Sequence, residues 1–469
     1  MKKEKKNWRK KYLKPEDKNQ NLEYLQHNVE VLNQIWNIAD PPVESHKPLI
    51  GGVVTIFKRC IRKATYWMMR SYWDQQREFN RVLAAAVSDI YRLECANGNV
   101  AVVNVDVDPM ETVEGGRVFQ LVSSLNFGDA VGNEVIAFKK TLQENGYATE
   151  IYTNHIHQKI PAGTARLYKD MPQLRKEDVV IYHFASQCDI SRAIKNFPCK
   201  VVLRYHNVTP PEFFRGYDRD AEKATINGLR QVKEIRPYID YCLPVSEFNK
   251  HDLQKMGYTC PMEVLPILIR FEDYEQEPDD AVIEKYNDGR KNILFVGRMA
   301  PNKKVEDVIS CFAYYKEHFD QTARLFLVGS YQEKDKYYQF LQKHIKKLGV
   351  KDVIFPGHIS FAAILAYYKI ADLFLCMSEH EGFCVPLVEA MFFRVPIVAY
   401  DSSAVPNTLG KAGLLAEDKN PAHVSEIMEA CLQDSDMPEK QKQQLEKFQR
   451  DVIAKVLVTN VQKVVKSIK

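Results

Sequence analysis

The sequence lacks several features that would each assign the chain to a particular class of protein. Its 10 cysteines include no Cys-x-x-Cys pair, which argues against a zinc site or a disulfide framework and favours free, buried thiols in a reducing compartment. No run of about 18 uninterrupted apolar residues occurs, so no segment is predicted to span a bilayer. No apolar stretch follows the basic first residues, so we expect no signal peptide.

The body of the chain also lacks net positive charge. The net charge of +4 arises at the start, because residues 1–14 contain eight Lys or Arg and one Glu, a net +7. Subtracting +7 from +4 leaves −3 for the remaining residues. This distribution argues against a core that binds nucleic acid. The basic start is either a solvated tail or a contact for an anionic membrane surface.

Residues 1–98 are predicted to form a helical, basic extension. Its segment Leu49–Trp73 is apolar and aromatic, but Lys and Arg residues interrupt it. A basic amphipathic helix that lies in a membrane interface has this pattern, and so has a helix that packs on the body of the protein. The motif QQREFN at Gln75–Asn80 is similar to a short segment near the N-terminus of many bacterial polysaccharide-assembly proteins.

Strand-like and helix-like segments alternate after residue 100, which indicates parallel sheets built from βαβ units. We expect two doubly wound domains, residues 99–275 and 276–469, joined by an acidic linker at Arg270–Arg290 that lacks clear periodicity, and a long helical pattern at Pro438–Lys469. The first set of predicted strands is Ala101–Val107, Val118–Ser123, Thr149–Tyr152, Val179–His183, Val201–Tyr205 and Tyr241–Val245, and the second is Asn292–Val296, Leu325–Val328, Val353–Phe355, Leu373–Met377 and Ile397–Ala399.

The stretch SEHEGFCVPLVEAM, Ser378–Met391, places two carboxylates at the end of a predicted strand and the start of a predicted helix. Glu381 and Glu389 lie eight residues apart. The free N–H groups of a helix N-terminus suit a phosphate, and carboxylates suit sugar hydroxyls. Taken alone, the stretch predicts either a nucleotide-sugar site or a surface loop with two solvated acids.

Positive charges follow the first strand of the second set. The strand NILFV is followed by Gly297, Arg298 and, after a short turn, Lys303. Arg can bind two phosphate oxygens at once and Lys acts as a point charge, so the pair suits a diphosphate. A solvated turn is the alternative.

Two loops of the first set also follow predicted strands and contain candidate site residues. Gly128 and Gly132 would let the backbone approach a ligand next to a helix N-terminus. A glycine-rich turn that binds no ligand has the same sequence pattern. Asp129 is either a ligand-binding residue or the N-cap of the helix. His206 and Asn207 come directly after a strand. A histidine there either donates to a sugar hydroxyl or has a purely structural hydrogen bond.

Asp106 and Asp108 form an Asp-x-Asp pair that resembles a Mg²⁺ or Mn²⁺ motif. A metal-dependent glycosyltransferase with a single sheet would use such a pair. No second nucleotide site accompanies it in the sequence, so we predict no metal site.

Taken together, the motifs from about Arg117 to the C-terminus resemble the GT-B glycosyltransferases of family 4, also called group 1, in a branch that works on bacterial surface polysaccharides. The fold implied is α/β, with two Rossmann-like domains facing across a cleft and, here, a helical N-terminal extension. The motifs are Gly297-Arg298 with Lys303, LFLVGS (Leu325–Ser330), PGHIS (Pro356–Ser360), EGFCVPLVEAM (Glu381–Met391) and VPIVA (Val395–Ala399), together with GDAVGN, YHNVTP and LPVSEFN in the first domain.

The resemblance implies transfer from a nucleotide-diphosphate sugar with retention of anomeric configuration, and it implies neither a cofactor nor a metal. Two positions depart from the family pattern, because Asp129 and Lys304 replace common glycines. The residues implied are His206, Arg298, Lys303 and Glu381 for catalysis, and Gly128, Gly297, Arg298, Lys303, Glu381, Gly382, Phe383, Cys384 and Glu389 for the nucleotide sugar.

The expected acceptor is a saccharide or a lipid-linked saccharide, and the expected location is the cytoplasm, peripherally at the inner face of the plasma membrane. No nucleic-acid partner is expected. The alternatives with the same architecture are a sugar-nucleotide epimerase, a phosphorylase, or a non-catalytic scaffold tethered to the membrane.

Overall fold

The computed structural model describes residues 116–126, 128–357 and 359–468. The predictions for the extension 1–98, for the strand Ala101–Val107 and for the Asp106–Asp108 pair lie outside these residues. The described part contains two six-stranded sheets that belong to one compact unit of the chain. Every helix within the described ranges is too short or too polar to cross a lipid bilayer.

The first sheet is entirely parallel. Its strands are β1 (Arg117–Val122), β2 (Ala148–Thr153), β3 (Arg166–Leu167), β4 (Val179–Phe184), β5 (Lys200–Tyr205) and β6 (Tyr241–Pro244), in the spatial order β3-β2-β1-β4-β5-β6. All six residues of β1 are buried, and so are all six of β4. Such continuous burial is typical of a parallel strand that is covered on both faces.

The second sheet repeats this arrangement. Its strands are β7 (Asn292–Val296), β8 (Arg324–Val328), β9 (Val353–Ile354), β10 (Leu373–Cys376), β11 (Ile397–Tyr400) and β12 (Leu414–Ala416), in the order β12-β11-β10-β7-β8-β9. In both sheets the first strand lies between the second and the fourth. The winding therefore reverses direction between β1 and β4 and between β7 and β10, and ligands of doubly wound sheets bind at such switch points.

Twelve α-helices lie among the described residues. Several begin with an Asp or Ser whose side chain accepts a hydrogen bond from a backbone N–H of the first turn, namely Asp129, Asp218, Ser246 and Ser360, which is typical of N-caps. The helices are α1 (Ala130–Glu144), α2 (Arg219–Ile235), α3 (Glu247–Lys255), α4 (Asp280–Tyr286), α5 (Val305–His318), α6 (Lys336–Leu348), α7 (Phe361–Lys369), α8 (Val385–Phe392), α9 (Val405–Leu409), α10 (Pro421–Gln433), α11 (Met437–Glu446) and α12 (Arg450–Lys466).

The last helix packs on the first sheet. Ile453 and Leu457 of α12 share a buried cluster with Val118 of β1 and Val179 of β4. The hydroxyl of Tyr241 donates to Asn460 Oδ1 at 2.7 Å. The predicted boundaries assign this helix to residues 276–469, whereas in the structure it completes the core of the first sheet.

Two segments differ from their predicted form. The acidic linker contains α4, a seven-residue helix. The helical pattern at Pro438–Lys469 is two helices, separated at residues 447–449. Phe448, between them, is buried and packs edge-on against Phe383 at 5.5 Å between ring centroids. The break between the two helices therefore coincides with this buried contact.

Candidate functional site

The loops that carry the predicted donor-site residues lie at the switch point of the second sheet. One follows β7 and includes Gly297–Lys304; the other follows β10 and includes Met377–Cys384. β7 and β10 are neighbours in the sheet. The topology therefore brings together two segments that are about 80 residues apart in sequence.

Lys303 and Glu381 form a close ion pair between these loops. Lys303 Nζ donates to both carboxylate oxygens of Glu381, at 2.6 and 2.7 Å. Burial alone would lower the pKa of Lys303, but the Glu381 carboxylate outweighs it and the pKa is raised overall. Glu381 is buried, and its backbone N–H donates to Ser403 Oγ at 2.8 Å. Lys303 is therefore charged, and the pair is held in a fixed position.

Gly297 and Arg298 are the first residues of the loop after β7, which also contains Lys303. Arg298 is exposed, so its guanidinium can turn towards an anion. A Cβ built on Gly329 would overlap the carbonyl of Gly297. Gly329 thus has to be glycine, because the loop after β7 passes directly over the end of β8.

His206 lies after β5 in the first sheet and contacts a second histidine. Its Nε2 is 3.3 Å from Nδ1 of His183, and the rings stack at 5.6 Å between centroids. Burial, the Arg204 guanidinium and His183 together hold the pKa of His206 well below its usual range. The Nδ1 atom of His206 is buried and has no hydrogen-bond partner among the described residues. The ring is therefore neutral and retains one free hydrogen-bonding position.

A buried ion pair supports this histidine. Arg204 donates to Glu134 through Nε at 3.1 Å and through Nη2 at 2.6 Å, and both side chains are fully buried. His206 Nε2 is 3.5 Å from the second oxygen of Glu134. Glu134, His183 and His206 bring ligand atoms close enough for a metal ion. The bound guanidinium opposes that, because it already neutralises the one carboxylate and two neutral histidines would leave both charges of the ion uncompensated in a buried site.

The two sheets touch through the loops after β5 and β10. His380 Nε2 donates to Asn207 Oδ1 at 2.7 Å, and Asn207 Nδ2 donates to Asn249 Oδ1 at 2.7 Å. A Cβ on Gly382 would lie 2.5 Å from the carbonyl oxygen of His206. The absence of a side chain at Gly382 therefore lets the loop after β10 approach the loop after β5.

Glu389 lies on α8 and is bound by two tyrosines. The hydroxyl of Tyr274 donates to Oε1 at 3.0 Å, and that of Tyr368 donates to Oε2 at 2.7 Å. Burial raises the pKa of Glu389, although both hydrogen bonds oppose this. Each carboxylate oxygen can accept a further hydrogen bond, so contact with ribose hydroxyls remains compatible with this geometry.

Gly128 and Asp129 form the turn before α1. Gly128 has φ of 77° and is exposed. Asp129 accepts from the N–H of Gly132 at 2.7 Å and is the N-cap of the helix. The sequence left open whether Asp129 contacts a ligand or caps the helix, and the structure shows it as the N-cap.

The residues after Glu381 differ in their roles. Phe383 is buried, packs on Phe448 and belongs to a cluster that also includes Val245, near the end of β6. Cys384 precedes α8 with φ of 70° and is buried. The prediction that these residues offer backbone N–H groups to a ligand stays a prediction.

Four residues around these loops have the left-handed backbone that usually favours glycine. They are Asn207 (φ 89°), Lys304 (φ 49°), Cys384 (φ 70°) and Ser403 (φ 51°). The left-handed backbone at Lys304 explains why glycine is common at the corresponding position of the family pattern, because glycine adopts this conformation without strain. Non-glycine residues in this region cost about 1–3 kcal/mol each and concentrate at functional sites.

Sequence reasoning missed His380, Asn249 and Ser403. His380 lies inside the quoted motif and Asn249 inside SEFN, but nothing in a linear pattern shows that they meet across two sheets. The loops at the ends of β5, β7 and β10 together carry a buried carboxylate, a partly buried ammonium, an exposed guanidinium and a neutral histidine. These groups suit a ligand with hydroxyls and an anionic leaving group.

Residues 276–448 match the family model described as "Glycosyl transferases group 1". An O-antigen chain mannosyltransferase B of Escherichia coli is 25% identical over 246 residues, which are 50% of this chain and 62% of that protein. A GDP-mannose-dependent alpha-mannosyltransferase of Mycolicibacterium smegmatis is 31% identical over 132 residues, 28% of this chain and 31% of that one. The chain thus spans less than two thirds of these relatives.

Solved structures share the architecture at low sequence identity. Sucrose-phosphate synthase from Thermosynechococcus elongatus has a TM-score of 0.60 at 13% identity, covering 75% of this chain and 99% of that one. Anabaena HepE in complex with UDP and glucose has a TM-score of 0.57 at 15% identity, covering 74% and 99%. The protein therefore has the GT-B fold, and its residues 276–448 match the glycosyl transferases group 1 family model.

Proposed function

We propose that this chain is a glycosyltransferase that moves a sugar from a nucleotide-diphosphate sugar to a saccharide or lipid-linked saccharide in the synthesis of a cell-surface polysaccharide. The Lys303–Glu381 pair carries the proposal, because it lies at the switch point of the group 1 domain. In addition, the loop that contains Glu381 contacts the loop that contains His206. Retention of configuration and membership of family 4 belong to the same proposal and rest on the resemblance.

The chemistry follows from where the charges lie. Departure of a nucleoside diphosphate builds negative charge on phosphate oxygens, and cations already in place stabilise that charge. Lys303 is fixed by Glu381, and Arg298 is exposed in the same loop after β7. Two such cations can do what a metal ion does in other transferases, so we propose that transfer needs no metal.

The remaining roles concern recognition. Each carboxylate oxygen of Glu381 has a further lone pair that would accept a hydrogen bond from a sugar hydroxyl. Glu389 would accept hydrogen bonds from the ribose hydroxyls. Gly128, Gly297, Gly382, Phe383 and Cys384 would offer backbone groups. His206 would meet the donor sugar, with its buried Nδ1 atom uncovered to bind a sugar hydroxyl.

The names of the relatives suggest which donor to test first. Two of them are named as mannosyltransferases, one of these as GDP-mannose-dependent, whereas the HepE structure holds UDP and glucose. We therefore propose GDP-mannose as the leading donor candidate, with UDP-glucose as the comparison.

The experiment is calorimetric binding of a panel of GDP-, UDP- and dTDP-sugars, followed by transfer with and without EDTA. Arg298→Ala and Glu381→Gln should each weaken binding of the preferred donor about 10- to 100-fold, the range for a lost charge-assisted hydrogen bond. Lys351→Ala, an exposed lysine of the same domain, should leave binding unchanged. Lack of binding to every nucleotide sugar would refute the proposal, and loss of transfer in EDTA would refute the metal independence alone.

The configuration of the product tests retention separately. NMR of the first product formed from an α-linked donor should show an α linkage. A β linkage would contradict retention and leave sugar transfer itself intact.

A further inference from the structure

Two buried thiols lie against Glu381. Cys376 is the last residue of β10 and Cys384 precedes α8, and both are at least nine-tenths buried, as is Glu381. The two sulfur atoms and a carboxylate oxygen of Glu381 all lie within 4.8 Å of one another. The strand end and the helix start thus bring three ligand-type atoms to one point.

This set of atoms suits a thiophilic divalent cation. Zn²⁺ is bound tetrahedrally by thiolates at about 2.3 Å and by carboxylate oxygens at about 2.0–2.2 Å. Neighbouring ligand atoms in such a site are about 3.4–3.8 Å apart by geometry. The observed cluster needs to contract by no more than about an ångström, and the fourth position is left for water.

The charges also balance. Without a metal, the Glu381 carboxylate is neutralised by Lys303, which donates to it at 2.6 Å. Binding of Zn²⁺ with release of the two thiol protons adds two positive and two negative charges. The net charge of the buried group therefore stays at zero, which limits the cost of placing the ion in a poorly hydrated site.

The backbone at Cys384 supports a role for the thiol. Its φ of 70° is a conformation that glycine adopts without penalty and that costs other residues about 1–2 kcal/mol. Cysteine occupies the position despite this cost. Ser378 Oγ accepts from the Cys376 thiol at 3.4 Å, and its own hydroxyl can turn to donate to a thiolate.

We propose that Cys376, Cys384 and Glu381 form a binding site for Zn²⁺ or a similar thiophilic cation, and that its occupation inhibits the enzyme by engaging Glu381. The inhibition rests on the proposed function, whereas the binding of the cation does not. The two parts are therefore tested by separate measurements.

Binding is measured with Co²⁺ on the full chain, kept reduced with a phosphine. The wild type should show a sulfur-to-cobalt absorption band that Zn²⁺ abolishes. Cys384→Gly fits the backbone, because glycine adopts its conformation without strain. This variant and Cys376→Ser should each lower the affinity for Co²⁺ at least tenfold and remove the part of the band that arises from this site.

The second thiol pair serves as the control. Cys242 and Cys260 have their sulfur atoms 3.4 Å apart and could bind the same metal. Cys260→Ser should therefore retain the band that Cys384→Gly loses. The proposal fails if Cys384→Gly and Cys376→Ser, both folded by circular dichroism, keep the wild-type band and affinity.

Inhibition is measured by calorimetry with the preferred nucleotide sugar. Saturating Zn²⁺ should weaken donor binding at least tenfold in the wild type and in Cys260→Ser. In Cys384→Gly, donor binding with Zn²⁺ should equal that variant's own value without metal. A wild type that binds Co²⁺ through these thiols and keeps full donor affinity in Zn²⁺ would refute the inhibition alone, and a chain that binds no nucleotide sugar would refute the proposed function alone.

Discussion

The two stacked histidines of the first domain are held neutral by their surroundings. Burial is the largest cause that lowers the pKa of both His183 and His206, and the Arg204 guanidinium adds to it. In the unfolded chain, a histidine has a pKa of about 6.5. Below that pH the unfolded state binds more protons than the folded state, so stability decreases as the pH falls.

The first prediction concerns this pH dependence. Between pH 6.5 and the lowered pKa, each histidine should reduce the free energy of unfolding by about 1.4 kcal/mol per pH unit. His206→Asn removes one titrating group, so its urea midpoint should fall less between pH 7.5 and 5.5 than that of the wild type. His318→Asn, at a largely exposed position, should behave as the wild type does. Equal losses in the wild type and His206→Asn would contradict the account.

The sequence predicts the charged residues of the site better than their partners. The pair of Lys303 and Glu381 is 78 residues apart, yet each stands in a motif with its own strand and turn. His380 and Asn249 have no such signal. Their hydrogen bonds through Asn207 exist only because two domains meet, and contact between domains leaves no local periodicity.

At the scale of elements, the longer buried strands are predictable, whereas of the three shortest edge strands, β3, β9 and β12, the sequence predicts only β9. Ten of the twelve strands in the described ranges begin and end within one residue of their predicted bounds. The two that the sequence analysis missed, β3 and β12, are two and three residues long and lie at sheet edges. Such strands owe their form to one neighbour rather than to their own apolar pattern.

The second prediction concerns the loop contact at Gly382. In Gly382→Ala the new methyl would be 2.5 Å from the His206 carbonyl oxygen and 2.9 Å from Asn207 Cβ. Overpacking of this kind costs about 1–3 kcal/mol, and relief requires the two loops to separate. We expect a lower urea midpoint and weaker donor binding.

A matched glycine controls for the added methyl group. Gly228 lies within α2, and a Cβ there would be 3.4 Å from its nearest neighbours, so Gly228→Ala should leave both measurements nearly unchanged. If Gly382→Ala has wild-type stability and donor affinity, the contact is not needed for the site.

The third prediction concerns α12. Leu457 is fully buried in the cluster that covers the first sheet, so Leu457→Ala should lower the free energy of unfolding by about 2–5 kcal/mol. Val452 on the same helix is 47% exposed, and Val452→Ala should have little effect. Urea unfolding monitored by circular dichroism distinguishes the two; similar losses would mean that the helix does not stabilise the sheet through its buried face.

At the scale of the whole molecule, the fourth prediction concerns the basic extension. The net +7 of residues 1–14 should attract anionic lipid, with about 1 kcal/mol for each Lys or Arg near the surface. The full chain should sediment with vesicles that contain phosphatidylserine and should be released by high salt. A chain without Lys2–Trp73 should remain in the supernatant. Sedimentation of the shortened chain would place the membrane contact elsewhere.

The return of α12 to the first sheet has a consequence for synthesis of the chain. About 200 residues separate the end of β6 from the start of α12, which corresponds to about 10–40 s of translation at 5–20 residues per second. During that interval the strands of the first sheet have emerged but lack the apolar side chains that α12 adds to one of their faces. The first sheet is therefore the last part to gain its full cover on the ribosome. A message that ends before α12 would release a protein whose second sheet is complete and whose first sheet exposes apolar surface.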